Sequence, residues 1–136
     1  MRKYRNKKCS CEFQHETYHF DSNAEMDYFL ILANKLRTFK IDKLKLQPKF
    51  QLSEPFTINT NKTKSGKSRI PAMIYTPDFE YIENGKKVVV EVKGMITKDY
   101  RMRLKLFLSS AYKENGVDTF IEVINGKETV YDCTSV

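Results

Sequence analysis

Three residues in the middle of the sequence have types and a spacing that suit phosphodiester chemistry. Asp78 is followed, after twelve intervening residues, by Glu91-Val92-Lys93. Between them lies Asn84-Gly85, the strongest short-range signal for a two-residue hairpin turn, and the flanking segments are rich in the Val, Ile, Tyr and Phe that suit strands. Pairing across this turn sets Asp78 directly opposite Glu91 and places Lys93 on the same face of the hairpin.

Two directly opposed carboxylates repel each other, and a divalent cation would turn that repulsion into attraction. Mg²⁺ accepts one or two carboxylates together with waters and phosphate oxygens, and Mn²⁺ is the expected substitute. The backbone carbonyl of Val92 is a further candidate ligand, and Lys93 would orient a water or stabilise charge in the transition state. Since Pro77 has no N–H for the strand ladder, we expect a bulge or splaying there that leaves the carboxylates open to solvent.

The string acid-x-Lys carries little information by itself. With 17 acidic residues and 18 lysines in 136 positions, random placement produces about two such strings, which sets the false-positive risk. The sequence contains one, Glu91-Val92-Lys93, and it lies on a β-branched strand opposite an aspartate. The context therefore supports the site more strongly than the string does.

Two helices are predicted on either side of this hairpin. Ser22 as N-cap and Glu25 three residues later form a capping box, which by itself accounts for Glu25 structurally. The second helix begins at Thr97 or Asp99 and ends at Asn115-Gly116. Apolar residues at helical spacing predict the buried stripes, which are Ala24, Tyr28, Leu32, Leu36 and Phe39 in the first helix and Tyr100, Leu104, Phe107, Leu108 and Ala111 in the second.

The remaining segments read as strands and loops. Residues 44–52 form a strand interrupted by Pro48, residues 59–69 form a polar, basic loop, and a strand over 70–82 runs into the central hairpin. Residues 118–132 form a hairpin that turns at Asn125-Gly126, in which the sequence shows no catalytic constellation.

The net charge of +7 suggests a polyanionic partner, with nucleic acid as the first hypothesis and solubility alone as the alternative. Residues 1–10 form a basic arm. Further candidate DNA contacts lie in the 59–69 loop and on the second helix, although either group could be a solvated surface; they are Lys62, Lys64, Lys67, Lys98, Arg101, Arg103 and Lys105.

Cys9, Cys11, His15 and His19 could be read as a zinc set, but the cysteines are too close for the usual spacing and the alternation favours a strand hairpin. Three cysteines are an odd number, which fits a reducing cytoplasm better than a disulfide framework. No apolar run is long enough to span a bilayer and no signal peptide is recognisable. The length suits one domain over residues 1–136.

Four short blocks in order resemble the PD-(D/E)XK nuclease superfamily, and within it a family of small phage and prophage proteins described as Holliday-junction resolvase-like or endonuclease-like. The blocks are Phe20-Asp21-Ser22-x-x-Glu25, Leu46-Gln47-Pro48-Lys49-Phe50, Tyr75-x-Pro77-Asp78-Phe79 and Glu91-Val92-Lys93-Gly94. The resemblance implies an α/β, restriction-endonuclease-like core of order α-β-β-β-α-β, with a mixed central sheet flanked by helices.

The same resemblance implies a set of functional residues. Asp78, Glu91 and Lys93 match the catalytic positions, and Glu25 matches a glutamate supplied by the first helix to the metal site. Gln47 matches a recurrent family position to which we assign no role. Cleavage leaving 5′-phosphate and 3′-hydroxyl ends, a homodimer, and a phage- or prophage-encoded protein in the bacterial cytoplasm are further expectations from the resemblance.

The sequence thus favours a Mg²⁺-dependent DNA endonuclease, with branched DNA as a candidate substrate. The alternative is a non-catalytic module that uses the nuclease fold to bind DNA or a protein, and a purely structural phage protein is the third reading. The retention of Asp78, Glu91 and Lys93 together argues against a decayed site.

Overall fold

The computed structural model describes residues 8–135. In chain order the elements are β1 (Cys9–Phe13), β2 (Glu16–Phe20), α1 (Asn23–Arg37), β3 (Asp42–Leu46), β4 (Phe50–Gln51), β5 (Phe56–Asn59), β6 (Lys67–Ile70), β7 (Ile74–Tyr75), β8 (Phe79–Glu83), β9 (Lys86–Lys93), α2 (Lys98–Asn115), β10 (Thr119–Ile124) and β11 (Lys127–Asp132).

A five-stranded mixed sheet forms the centre of the fold, with strand order β11-β10-β9-β8-β3. Strand β10 runs parallel to β9, whereas the β3–β8, β8–β9 and β10–β11 pairs are antiparallel. The predicted α/β class with a mixed sheet and flanking helices is confirmed. The helices and sheet strands follow one another as α1, β3, β8, β9, α2, β10 and β11, with β4–β7 between β3 and β8.

Each face of this sheet carries its own hydrophobic core. Val88 and Val90 point to the face covered by α1, where they pack with Phe29 and Leu32. Val89 points to the opposite face and packs with residues of α2, including Phe107. Because side chains alternate along a strand, β9 is buried on both sides.

The first helix begins as predicted and its buried stripe differs from the prediction. Ser22 is the N-cap, and its hydroxyl accepts from the backbone N–H of Glu25. Phe29 and Leu32 are buried, but Ala24 is exposed and Phe39 is 93% exposed, so these two core assignments are wrong. Helix α1 ends at Arg37 and Phe39 adopts a φ of 60°, which turns the chain away before Phe39 can reach the core.

The second helix agrees with the prediction at both ends. Thr97 is the N-cap and accepts from the N–H of Tyr100 at 3.1 Å. Gly116 ends the helix with a φ of 66°, the left-handed conformation that glycine adopts without strain. The predicted stripe is buried except for Leu108, which is half-buried.

The central hairpin has the predicted register, with Glu83 paired to Lys86 and Phe79 to Val90. Regular pairing stops at Phe79, so the predicted irregularity near Pro77 is present. The strand expected over 70–82 is accordingly broken into β6, β7 and β8, and the breaks coincide with Pro71 and Pro77. Pro48 likewise separates β3 from β4, as expected.

Strands β4 to β7 form a two-stranded ribbon that leaves the sheet. Near its root Phe50 pairs with Tyr75, and farther out Phe56 pairs with Ile70 and Asn59 with Lys67. The sequence prediction of a loop over 59–69 is therefore too long, because its last residues form β6. The turn proper occupies residues 60–66.

Residues 1–7 of the predicted basic arm lie outside the described residues. Of the remainder, Cys9 and Ser10 belong to β1 instead of an arm, because they pair with Phe20 and His19 of β2. Within residues 8–135, neither helix has the length and apolarity needed to cross a membrane.

Candidate active site

Asp78 immediately precedes Phe79, the first residue of β8, and lies outside the regular ladder. Its N–H donates to the carbonyl of Val90 at 3.1 Å, and its own carbonyl accepts from the N–H of Gln47 at 2.8 Å. Its Oδ2 accepts from the N–H of Val92 at 2.7 Å, so a side chain occupies the acceptor position that a strand carbonyl would normally fill. The irregularity at Pro77 thereby fixes the Asp78 carboxyl against β9.

Gln47 contributes to this arrangement through its backbone. Its side chain is exposed and its φ is 52°, an uncommon value for a residue other than glycine. The N–H that this conformation presents is the one that holds the Asp78 carbonyl. The contribution of Gln47 to the site is therefore its backbone N–H, which holds the Asp78 carbonyl.

Glu91 is buried, with 5% of its surface exposed. Oε1 of Glu91 accepts a 2.6 Å hydrogen bond from the hydroxyl of Tyr75. The expectation that splaying near Pro77 leaves both carboxylates open to solvent is wrong for Glu91, since α2 covers this face of the sheet. Asp78 is half-buried and keeps partial access to solvent.

Glu25 reaches the site from the first turn of α1. Its N–H donates to Ser22 Oγ at 3.1 Å, and its Oε1 accepts from the N–H of Asp21 at 3.4 Å. Its carboxyl group lines the same cavity as Asp78. The capping role and the position beside Asp78 are therefore both present in the structure.

Lys93 lies at the end of β9, where its Nζ is 4.8 Å from the centroid of the Tyr100 ring. The hydroxyl of Tyr100 donates to Oε2 of buried Glu122 at 2.6 Å. Glu122 is the register partner of Glu91 across the parallel β9–β10 pair. The ammonium group thus lies over an aromatic face whose polar end is already hydrogen-bonded, a favourable cation–π arrangement.

Three side chains near the site were not among the predicted site residues: Tyr75, Tyr100 and Glu122. Tyr75 belongs to one of the resemblance blocks, and Tyr100 belongs to the predicted buried stripe of α2. Alternation within Thr119–Ile124 places Glu122 among buried residues, and that pattern was the available signal for it. The pairing of Glu122 with Glu91 on β9 follows from a parallel register, and no turn in the sequence specifies that register. The expectation of no catalytic constellation in residues 118–132 therefore overlooked one buried carboxyl beside the site.

Burial raises the pKa values of the three carboxyl groups of the site, and the charge of a neighbouring carboxylate adds to each rise. Burial, followed by the charge of Asp78, raises the pKa of Glu25 to about 8. Burial, followed by the charge of Glu91, raises the pKa of Asp78 to about 7. Burial also raises the pKa of Glu91, and the hydrogen bond from Tyr75 opposes that rise. A divalent cation would relieve this mutual repulsion.

A cavity of about 400 Å³ opens onto the carboxyl groups and is lined by Glu25, Asp78, Glu91, Val92 and Lys93 among others. Within residues 8–135, no group of three or more His, Cys, Asp or Glu side chains is arranged to hold a metal ion. Mg²⁺ does not require one, because it is usually bound by one or two carboxylates with waters and phosphate oxygens. Asp78, Glu91 and the Val92 carbonyl fit that requirement.

Residues 1–126 match a family model described as "Protein of unknown function (DUF1064)". The chain belongs to this family. The match includes every candidate site residue named above. No curated protein matches the chain.

The predicted DNA contacts of this DUF1064 protein fall in two places. Lys98, Arg101 and Lys105 are exposed on α2, which begins five residues after Lys93. Arg103 differs from them because it pairs with Asp99 at 3.0 Å and donates to the Ile74 carbonyl at 2.8 Å. The charge of Arg103 is thus already paired with that of Asp99. Arg103 also lines a second cavity, together with Glu91 and Lys93.

The other predicted contacts lie on the ribbon, where Lys62, Lys64 and Lys67 are exposed. The ribbon and α2 are joined by the hydrogen bond from Arg103 to Ile74 of β7. The two basic groups therefore belong to one connected part of the fold.

The four residues considered for zinc are not brought together. Cys9 and Cys11 lie on one face of the β1–β2 hairpin and contribute to the core against α1. His19 pairs with Ser10 and so lies on the opposite face, and His15 lies in the exposed turn. Alternation along the two strands separates the cysteines from His19.

Proposed function

We propose that this protein is a Mg²⁺-dependent DNA endonuclease that hydrolyses phosphodiester bonds. The observation that carries the proposal is the convergence of Asp78 and Glu91 on one cavity, with Lys93 beside them. Asp78 is held by backbone hydrogen bonds and Glu91 by Tyr75, so both carboxyls have fixed positions. Such preorganisation is what metal-assisted phosphoryl chemistry requires of a protein.

Asp78 and Glu91 would hold the cation together with the Val92 carbonyl. The donors from Val92 and Tyr75 engage Asp78 Oδ2 and Glu91 Oε1, and the other oxygen of each carboxyl group takes no part in these two bonds. Glu25 lines the same cavity and would bind the cation directly or through a water molecule. When bound, Mg²⁺ would neutralise charge on the phosphate and lower the pKa of a water molecule.

Lys93 would stabilise negative charge in the transition state. Its ammonium group lies against Tyr100 at the mouth of the two cavities, near the Glu91 carboxyl. Water would attack phosphorus, the bond to the 3′ oxygen would break, and that oxygen would take a proton. The products would carry 5′-phosphate and 3′-hydroxyl ends, as the superfamily resemblance implies.

The order of the elements supports the same proposal. Helix α1, strands β3, β8 and β9, helix α2 and strand β10 follow the α-β-β-β-α-β order implied by the resemblance to PD-(D/E)XK nucleases. The ribbon of β4–β7 is inserted between the first two strands of that core. Within this proposal, the resemblance suggests branched DNA as substrate, a homodimer, and a phage or prophage origin.

Cleavage of DNA tests the proposal. A supercoiled plasmid and a four-way junction are incubated with the wild-type protein in Mg²⁺ or in EDTA. The expected result is cleavage in Mg²⁺ alone, lost in Asp78→Ala and Glu91→Ala and retained in Glu114→Ala, which removes an exposed carboxylate near the far end of α2.

Absence of Mg²⁺-dependent cleavage beyond the Asp78→Ala level on these substrates would overturn the proposal for them. Salt-sensitive DNA binding without cleavage would then favour the non-catalytic module. Absence of both would leave the structural reading.

A further inference from the structure

The ribbon formed by β4–β7 has its root in the candidate active site. Tyr75, the last residue of β7, donates to Glu91, and Asp78 follows three residues later. From the Phe50–Tyr75 pair the ribbon continues through the backbone hydrogen bond between Leu52 and Met73 to the β5–β6 pair. Any substrate held by the carboxyls therefore lies next to the base of the ribbon.

The outer part of the ribbon has two chemically different faces. On one face Phe56 pairs with Ile70, and Ile58 lies beside Ser68. On the other face Thr57 pairs with Arg69 and Asn59 with Lys67. All four residues of this second face, which we call the polar face, are exposed.

The charge of the ribbon has a single sign. Residues 55–77 contain no Asp or Glu, and Glu54 and Asp78 bound this acid-free segment. Lys62 and Lys64 in the turn and Lys67 and Arg69 on the polar face supply four positive charges. Such a segment complements a phosphate backbone, and its Asn and Arg side chains can also pair with base edges.

We infer that the ribbon enters the major groove of double-stranded DNA, with its polar face toward the bases and its turn lysines on the phosphates. This inference rests on the proposed function and names duplex DNA beside the cut as the substrate element recognised. The major groove of B-form DNA is about 12 Å wide and admits a two-stranded β-ribbon. The groove of an A-form RNA duplex is too narrow and deep for this.

The length of the ribbon predicts where it touches the DNA. Gly66 in the turn lies nine positions before Tyr75, which at roughly 3.3 Å per residue corresponds to a reach of about 30 Å. One turn of B-DNA spans about 34 Å. The ribbon would therefore protect the major groove up to about nine base pairs to one side of the scissile phosphate.

The test compares two double variants that remove the same charge from the full-length chain. Lys67→Ala/Arg69→Ala alters the polar face. Lys86→Ala/Lys113→Ala is the control, because these exposed residues lie at the far ends of the central hairpin and of α2. Equal unfolding temperatures confirm that both variants fold.

Affinity for a 30-base-pair DNA duplex is measured in EDTA across a range of salt concentrations. The ribbon variant is expected to bind at least tenfold more weakly than the control, because Lys67 and Arg69 lie on the face that contacts the bases. The wild type is expected to prefer DNA duplex to RNA duplex and to protect guanine N7 from methylation within about nine base pairs of the cut.

Equal affinity of the two variants for the DNA duplex would overturn the inference. Equal binding of DNA and RNA duplexes, or unprotected guanines, would also overturn it. Because binding is measured without metal, ribbon-dependent duplex binding with no cleavage in Mg²⁺ would refute the nuclease proposal alone. Normal cleavage by the ribbon variant with unchanged binding would refute the ribbon alone.

Discussion

The hydroxyl of Tyr75 donates a 2.6 Å hydrogen bond to Oε1 of Glu91. Tyr75 is itself buried, and its ring packs 5.1 Å from that of Phe107 in α2. The contact joins the ribbon, the central strand and the second helix at one carboxyl group. It fixes the orientation of Glu91 before any cation arrives.

Tyr75→Phe is expected to weaken divalent-cation binding by about 10- to 100-fold, the usual effect of losing a hydrogen bond that orients a metal ligand. The ring remains, so the unfolding temperature should change little. The measurement is the Mg²⁺ concentration that supports half-maximal cleavage. Tyr81→Phe is the matched control, because Tyr81 is also buried but lies on the α1 face. An unchanged Mg²⁺ requirement in Tyr75→Phe would contradict the orienting role.

The metal-free protein is expected to lose stability as pH rises from 5 to 8. Glu25 and Asp78 have folded-state pKa values of about 8 and about 7, above the unfolded values near 4. A raised pKa means that the folded state holds its proton more tightly, so stability present at low pH is lost as pH passes through the folded pKa values.

Thermal unfolding in EDTA at stepped pH measures this loss, which we expect to exceed roughly 5 K; each 1 kcal/mol corresponds to about 3–6 K in a protein of this size. Glu25→Gln should flatten the pH dependence because it removes one of the carboxyl groups with a raised pKa, and saturating Mg²⁺ should reduce the pH dependence. The same pH slope in wild type and Glu25→Gln would show that Glu25 is not part of the coupled group.

Two variants of Gln47 distinguish a role of its backbone N–H from a role of its side chain. Its exposed side chain predicts that Gln47→Ala cleaves DNA within about threefold of wild type, since exposed substitutions cost little stability. Gln47→Pro should abolish cleavage, because proline removes the N–H that holds Asp78 and cannot adopt a φ of 52°. If Gln47→Ala were as inactive as Asp78→Ala, the side chain itself would belong to the chemistry.

The elements predicted most accurately were those encoded by local signals. The Asn84-Gly85 turn fixed the register of β8 and β9, and Thr97 and Gly116 marked the ends of α2, because each signal acts over a few neighbouring residues. Glu25 was placed near the site only by the family resemblance, since its cap pattern alone gives a purely structural explanation.

The features that sequence reasoning missed all depend on long-range packing. Glu91 is buried because α2 covers its face, and a two-residue hairpin cannot indicate what will cover it. Glu122 is paired with Glu91 across the parallel strands β9 and β10, and helix α2 separates these two strands in sequence. Tyr75 was assigned to a single strand over 70–82, whereas it ends the separate strand β7. Phe39 was assigned to the first helix because no glycine or proline marks the end of α1 at Arg37.

We propose above all that Asp78 and Glu91 together hold a divalent cation. Crystals soaked in Mn²⁺ test it most directly, because manganese scatters anomalously and substitutes for Mg²⁺. Asp78→Asn crystals provide the control. We expect an anomalous peak about 2.0–2.3 Å from a carboxylate oxygen of each residue in the wild type. In the variant this peak should be absent or much weaker. A site without a peak, or one in which the Lys93 ammonium lies between the two carboxylates, would contradict it.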